Sequence, residues 1–538
     1  MKRRDVLKGL TILPLGGAIP MMSQGANNAA KVAGGGIPFA KGNIFESIGV
    51  EPLINCRGTF TIIGGSLERP QVRAAMEAAS SNFVQYDELA DGIGKRLAEL
   101  TKAEWGMVSA GCAAGLKHVT AACVTGGNPE KLIRIPDLSG FEKTEVIIPR
   151  NARNAYDHAI RNIGVKIITV ENMAELESAI NPRTAMIYLM SFNNEFKLEE
   201  LSKIAKPKNV PILVDAAAED LTVPNIHLQA GADIVAYSGG KALCGPQCGG
   251  LLLGRKDILM SAWQASSPHH GPGRDNKVGR EEMMGVLAAV EAWLSMDHEA
   301  KWKKWLGYLD TISKAVTKIE GITTEVNEPE GLDNKSPVLK ITWDTEKLNI
   351  TGEELAEIVG RTKPRIALGS GGARGYETGP TSVNITTGQM QPGEDKIVAQ
   401  RLSEVLKQQR PARVTQMKAP ATNLTGRWDA DIQFFSSTSK HTLNIEQDGN
   451  WIQGSHKGDF TLRDMEGTID GDEVRLRSTD RIPGDNITFT FTGKISGDTL
   501  AGNIYMGEYR TATFSAKRYG YKNKRGPILV PGGPPLAT

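Results

Sequence analysis

Between residues 45 and 410, short apolar runs alternate with segments of helical period. "GMVSAG" leads into "CAAGLKHVTAACV", "TEVIIP" into "NAYDHAIRNIG", and "KIITV" into "MAELESAI". "TAMIYLMSF" precedes "LEELSKIAK", and then come "VPILVDAAAE", "ADIVAYSGG" and "GGLLLG". Aliphatic runs without polar alternation predict strands covered on both faces, and the helices between them predict right-handed parallel crossovers. This is the pattern of an α/β domain, a mostly parallel sheet over residues 45–325. A long helical stretch at 279–321 leads into "PVLKITWD", "GEELAEIVG" and a closing helix near "EDKIVAQRLSEVLKQ", a smaller α+β unit over 326–410. After a linker at 411–423 the period becomes two. "TLNIEQDGN", "EVRLRSTD" and "NITFTFTG" alternate apolar with polar residues and are separated by Asp-Gly, Gly-Asp and Pro-Gly turns. Residues 424–518 are therefore expected to form a separate antiparallel barrel or sandwich. The Pro/Gly-rich tail at 519–538 carries no such period.

Composition changes this picture little. Across 538 residues, 63 Lys and Arg face 61 Asp and Glu, a net charge of +2, and no basic stripe interrupts the domains. That balance argues against nucleic acid as a partner. The first residues, "MKRRDVLKGLTILPLGGAIPMM", pair Arg3 with Arg4 ahead of a Gly-broken apolar stretch too short to span a bilayer comfortably. They resemble a bacterial twin-arginine signal, with residues 1–44 as signal and flexible leader, and predict an exported, periplasmic protein with no stable membrane anchor. Five cysteines exclude a disulfide framework as the organising principle. Cys244 and Cys248 lack a partner pair at metal-ligand spacing, so no metal is expected.

Three strand ends carry candidate chemistry, since ligands of open α/β sheets bind beyond the carboxyl ends of strands. In "SAGCAAGL" a strand turns through Gly111 into a helix starting near Cys112, where free N–H groups would hold a phosphate; a plain strand–turn–helix junction looks the same. In "PILVDAAAED", Asp215 could pair with a protonated ring nitrogen while Ala217 leaves room for a flat ring, or it could cap a helix. In "VAYSGGKALCGPQCGG", Lys241 stands among small residues as if something bulky lay against the backbone. A desolvated lysine there can form a Schiff base with an aldehyde, and Ser238 could donate to the same phosphate. Together the three describe a pyridoxal 5'-phosphate pocket.

"SGGKALCGPQCGGLLLG" closely resembles the S-G-x-K-x-x-x-G-P-Q-x-G segment of the SelA-like branch of fold-type-I pyridoxal phosphate enzymes. That branch holds seryl-tRNA selenium transferase and proteins like D-glucosaminate-6-phosphate ammonia-lyase. "INCRGTFTIIGGS" (54–66) and "NKVGREEMMGVLAAVE" (276–291) resemble further segments of the ammonia-lyase-like group, so the resemblance covers residues 45–410. It implies Lys241 as the Schiff-base residue, Asp215 at the pyridine nitrogen, and Ser238 with Gly111 and Cys112 at the phosphate. It also implies a homo-oligomer in which loops such as 271–277 reach a neighbour's site. Relatives commonly place a ring-stacking histidine where "RNARN" has Ala152; Tyr156 and His158 are the candidates to replace it, with helix packing as their alternative role.

The expected activity is a lyase that removes ammonia or a β-substituent from a small amino acid or amino sugar acid. Lys241 would serve as general base. Arg57 and Arg365 are candidates to hold a substrate carboxylate, with surface ion pairing as the alternative for both. Seryl-tRNA selenium transfer, another aminotransferase-class reaction, and a non-catalytic binding protein of the same fold are the competing readings.

Overall fold

A computed structural model of the chain describes residues 43–192, 195–521, 526–527 and 532–533. The twin-arginine stretch and most of the tail after 519 lie outside the described residues. Residues 43–52 form a small unit by themselves, a single 3-10 turn at Glu46–Ile48.

In the unit that starts at Leu53, seven strands make the central sheet: β1 Trp105–Ser109, β2 Glu145–Pro149, β3 Lys166–Val170, β4 Thr184–Met190, β5 Ile212–Asp215, β6 Ile234–Ser238 and β7 Gly250–Gly254. Their order is β1-β7-β6-β5-β4-β2-β3. The pairings from β6 to β3 are parallel, and β7 runs antiparallel between β1 and β6. β1, β2, β5 and β7 are buried along their whole length, which is why their sequences show no alternation. Helix α1 is Pro70–Ser80, α2 is Tyr86–Thr101, and α3, Cys112–Thr125, starts at the carboxyl end of β1. α3 is buried almost all round, as its run of Ala, Gly, Val and Leu requires.

The helical stretch at 279–321 breaks in the middle. Asp297 accepts a hydrogen bond from the Ala300 N–H at 2.9 Å and caps a second helix, so the elements are Arg280–Leu294 and His298–Val316. Met283, Val286 and Val290 of the first belong to the core of the large domain. Leu309, Ile312 and Val316 of the second belong to another core, with Leu339, Ile341, Val383 and Leu402. That core fills the smaller domain, whose sheet is β8 Thr323–Asn327, β9 Val338–Asp344, β10 Gly369–Gly372 and β11 Pro380–Thr386, all antiparallel, in the order β10-β11-β9-β8. The long helix thus packs on the small domain, although its sequence reads as the end of the large one.

Eight further strands form a closed antiparallel barrel: β12 Gly426–Gln433, β13 Thr438–Asp448, β14 Trp451–Lys457, β15 Leu462–Asp470, β16 Glu473–Ile482, β17 Asp485–Ser496, β18 Thr499–Met506 and β19 Tyr509–Arg518. β19 returns to pair with β12, so the choice between barrel and sandwich falls to the barrel and no sheet edge is left open. Trp428, Leu443, Leu476, Phe491 and Leu500 fill the inside from alternate positions, a core separate from the other two.

Candidate active site

The register of the sheet sets three of the candidate groups side by side. Ser109 at the end of β1 and Ser238 at the end of β6 both lie opposite Gly250 of β7. A Cβ on Gly250 would fall 2.5 Å from the Gly111 carbonyl and from Ser109 Oγ, so only glycine lets the turn at 109–111 fold against β7. Gly111 takes φ 86°, a value that suits glycine, and stands at the start of α3, where no side chain caps the helix. Its own N–H is spent on the Ser109 carbonyl at 2.9 Å. The free donors at this end are therefore those of the first turn of α3, from Cys112 onward, aligned with the positive end of a long helix. An uncapped donor set of this kind fits a phosphate dianion.

Asp215 ends β5 and is 2% exposed. No helix follows it at once: the next begins at Ile226 and is capped by Asn225, which removes the helix-cap alternative. The Tyr188 hydroxyl donates to Oδ2 at 2.9 Å and the Ala217 N–H to Oδ1 at 3.0 Å, while Cys112 Sγ lies 3.7 Å from Oδ1. Burial pushes the carboxyl above its ordinary pKa, and these donors together with the charge of Lys241 pull it back. Burial beside Asp215 also pushes the Tyr188 hydroxyl and the Cys112 thiol well up, so both remain protonated. A buried carboxylate held by neutral donors lacks a full counter-charge. A protonated ring nitrogen supplies one, so the residues present fit the cofactor.

The glycines around Lys241 have another use than the one their sequence suggests. The Gly239 N–H donates to the Gly249 carbonyl and the Gly245 N–H to the Gly239 carbonyl, both at 2.8 Å. A Cβ at Gly240 would meet Gln247 Cα at 2.5 Å. The small residues thus let the segment fold on itself, and the space they save is filled by its own backbone. Arg69 fastens the turn, donating through Nε to the Leu243 carbonyl at 3.0 Å. Cys244 and Cys248 are free thiols in this turn.

From the turn, Lys241 lines a cleft of about 720 Å³ between the large and small domains. Six cations line it (Arg57, Arg69, Lys241, Lys301, Lys304 and Lys335) against two acids, Asp220 and Glu508. Lys301 lies 4.5 Å from the centre of the Trp293 ring and 4.8 Å from that of Trp305. Burial pulls its pKa down, and Asp220 pulls it back up. Such a wall attracts small anions.

The remaining candidates divide. Arg57 lines the cleft, with its guanidinium 4.7 Å from the centre of the Phe60 ring. Arg365 lies off the cleft wall, where its Nε donates to the Gly360 carbonyl at 2.8 Å. His158 is exposed at the start of a short helix, His158–Arg161, and off the wall; Tyr156, two residues earlier in a 3-10 turn, is on it. Of the two side chains considered for the ring, Tyr156 is therefore the one within reach of the cleft. Ala152 is fully buried. Ala217 lies behind the wall, its N–H on Asp215 and its carbonyl accepting from the Ser238 N–H at 3.2 Å, and Ala218 takes the place beside the cleft. The loop at 271–277 folds onto α3 of its own chain, with Asp275 2.8 Å from Lys117 Nζ. Tyr188, Arg69, Lys301 and Glu508 escape the sequence reading. For Tyr188 one signal exists: a phenol inside an aliphatic strand needs a buried partner.

Phosphate donors at a helix start, a buried carboxylate and a cleft lysine, all at one edge of a mostly parallel sheet, define a fold-type-I pyridoxal phosphate protein. The aminotransferase class-V family matches residues 146–276. A D-glucosaminate-6-phosphate ammonia lyase of Salmonella typhimurium is 32% identical over 303 residues, 54% of this chain and 79% of that protein. A 5'-C-glycyluridine monooxygenase-decarboxylase of a Streptomyces species is 27% identical over 67% of this chain and 92% of its own length. An L-seryl-tRNA(Sec) selenium transferase of Moorella thermoacetica is 24% identical over 47% of this chain and 57% of its own. The solved structure of D-glucosaminate-6-phosphate ammonia-lyase superposes with a TM-score of 0.59 at 26% identity, covering 68% of this chain and 99% of that one. The chain belongs to the SelA-like branch of the fold-type-I enzymes, with pyridoxal 5'-phosphate as its cofactor.

Proposed function

We propose that this protein is a lyase that removes ammonia or a β-substituent from a small anionic amino acid or amino sugar acid. In this reading it acts in the periplasm as a homo-oligomer, without nucleic acid as a partner and without stable membrane anchoring. The observation that carries the reaction class is the 32% identity to an ammonia lyase over most of that protein's length. The cation-rich cleft supports an anionic substrate.

Bound pyridoxal phosphate supplies an electron sink for the carbon that carries the amine. The first turn of α3 and Ser238 bind its phosphate, and Asp215, steadied by Tyr188, holds a proton at its ring nitrogen. Tyr156, on the cleft wall, would be the side chain to cover a face of its ring. Lys241 Nζ, once free, takes the proton from the carbon bearing the amine. Arg57 orients the substrate carboxylate, and the small domain and barrel limit water.

The test is release of ammonia and a keto acid from D-glucosaminate, its 6-phosphate ester and small amino acids under anaerobic conditions. Product without oxygen supports elimination. The Streptomyces relative, aligned over 92% of its length, favours a second reading, oxidative decarboxylation. Turnover that consumes oxygen and stops without it would establish that reading instead.

A further inference from the structure

The barrel lies outside the residues that the family matches, yet it bears on both domains that form the cleft. In an up-and-down barrel successive hairpins alternate between ends. The turns at 434–437, 458–461, 483–484 and 507–508 therefore share one end, and those at 449–450, 471–472 and 497–498 the other. At the first end the Pro483 carbonyl accepts from Arg153 Nη2 at 2.8 Å, and Asp485 Oδ2 meets Arg161 Nη2 at 3.0 Å. Asp157, fully buried, pairs with both arginines and aims them at this hairpin. A Cβ at Gly484 would fall 2.7 Å from Asp157 Oδ1, so the hairpin lies flat on the large domain. The docked segment, 153–161, is the one that also carries Tyr156 to the cleft. Near the other end Asp470 accepts from Tyr376 of the small domain and, at 2.7 Å, from the Lys418 N–H of the linker. The barrel thus grips one domain near each end, and its 507–508 turn reaches the cleft, where Glu508 joins the wall.

We propose that this turn is a specificity wall of the substrate cleft and that Glu508 selects by charge. The cations of the other walls draw in an anionic group. Glu508 opposes a second negative charge near the barrel and favours hydroxyl or ammonium donors there. The preferred substrates are accordingly hydroxylated amino acids with one anionic end. This rests on the cofactor site and not on the elimination chemistry, because it concerns which molecules reach Lys241.

The test uses the full-length, cofactor-loaded protein and two aminooxy probes, anionic aminooxyacetate and uncharged O-methylhydroxylamine. Each probe's nitrogen forms a C=N bond to the cofactor carbon and releases the lysine amine, bleaching the visible band whatever the natural reaction. The readout is the ratio of the two bleaching rates. Glu508→Gln should raise it about threefold in favour of aminooxyacetate, Glu508→Lys should raise it further, and both effects should shrink in about 0.5 M salt. Glu446→Gln, on the outer wall of the barrel in β13, should leave it unchanged. Glu508 is exposed in a turn, so the variants should melt with the native protein. A ratio identical in native, Glu508→Gln and Glu508→Lys protein overturns the proposal, as does an equal shift in Glu446→Gln.

Discussion

Asp215 and Tyr188 act as one unit. The phenol donates to a carboxylate that burial makes hard to ionise, and a hydrogen bond to a charged group contributes about 1.5–3 kcal/mol. Tyr188→Phe should therefore raise the carboxyl pKa further. The acidic limb of the activity–pH profile should move to higher pH and kcat should fall about tenfold, with the cofactor still bound; an unmoved limb would show that Asp215 does not depend on the phenol. A second consequence follows from the sign of the shift. The folded, cofactor-free protein binds a proton at Asp215 that the unfolded chain gives up near its ordinary pKa, so stability falls as pH rises from there through the folded value. Asp215→Asn should remove that fall, measured as the melting temperature of the cofactor-free protein against pH, while abolishing efficient turnover. At this scale the sequence is informative where a group sits at a strand end. Asp215, Ser238 and the 111–112 turn are legible because each closes an apolar run. Arg365 and His158 are not, because their directions depend on a carbonyl of the preceding helix and on a 3-10 turn that swings Tyr156 inward.

The elements follow the periodicity closely where one period dominates. Uninterrupted aliphatic runs mark the strands of the central sheet, and strict alternation marks the barrel, whose buried positions in β12 and β16 are every second residue. What the period conceals is partnership. The helix His298–Val316 looks continuous with the one before it, and only the cap at Asp297 and the separate core show that it serves the small domain. The glycines near Lys241 look like room for a ligand because the sequence does not show that Gln247 and Gly249 fold back over them. The barrel has its own core, so residues 422–518 expressed alone, keeping the buried Leu424, should give a β-type circular dichroism spectrum and melt cooperatively. Trp428→Ala in that fragment should cost about 3–5 kcal/mol by urea unfolding. A disordered fragment would mean that the barrel needs the other domains to fold.

In the molecule as a whole, a cofactor domain, a small domain and a barrel meet around one cleft. That the barrel grips both other domains escapes the sequence, since Arg153 meets Pro483 and Arg161 meets Asp485 only by tertiary packing, across 330 and 324 residues of chain. The proposed periplasmic location makes Arg3 and Arg4 the residues to test. Replacing both by lysine should keep the protein, with its cofactor, inside the cell; unchanged export would mean that another route reads the leader. Everything proposed for the cleft depends on Lys241 holding the cofactor. Borohydride reduction of the cofactor-loaded protein, followed by peptide mapping, is the decisive measurement. One pyridoxyl group is expected, on the peptide containing Lys241, with loss of the visible band. An adduct on Lys301 or any other lysine, or none in loaded protein, would contradict it.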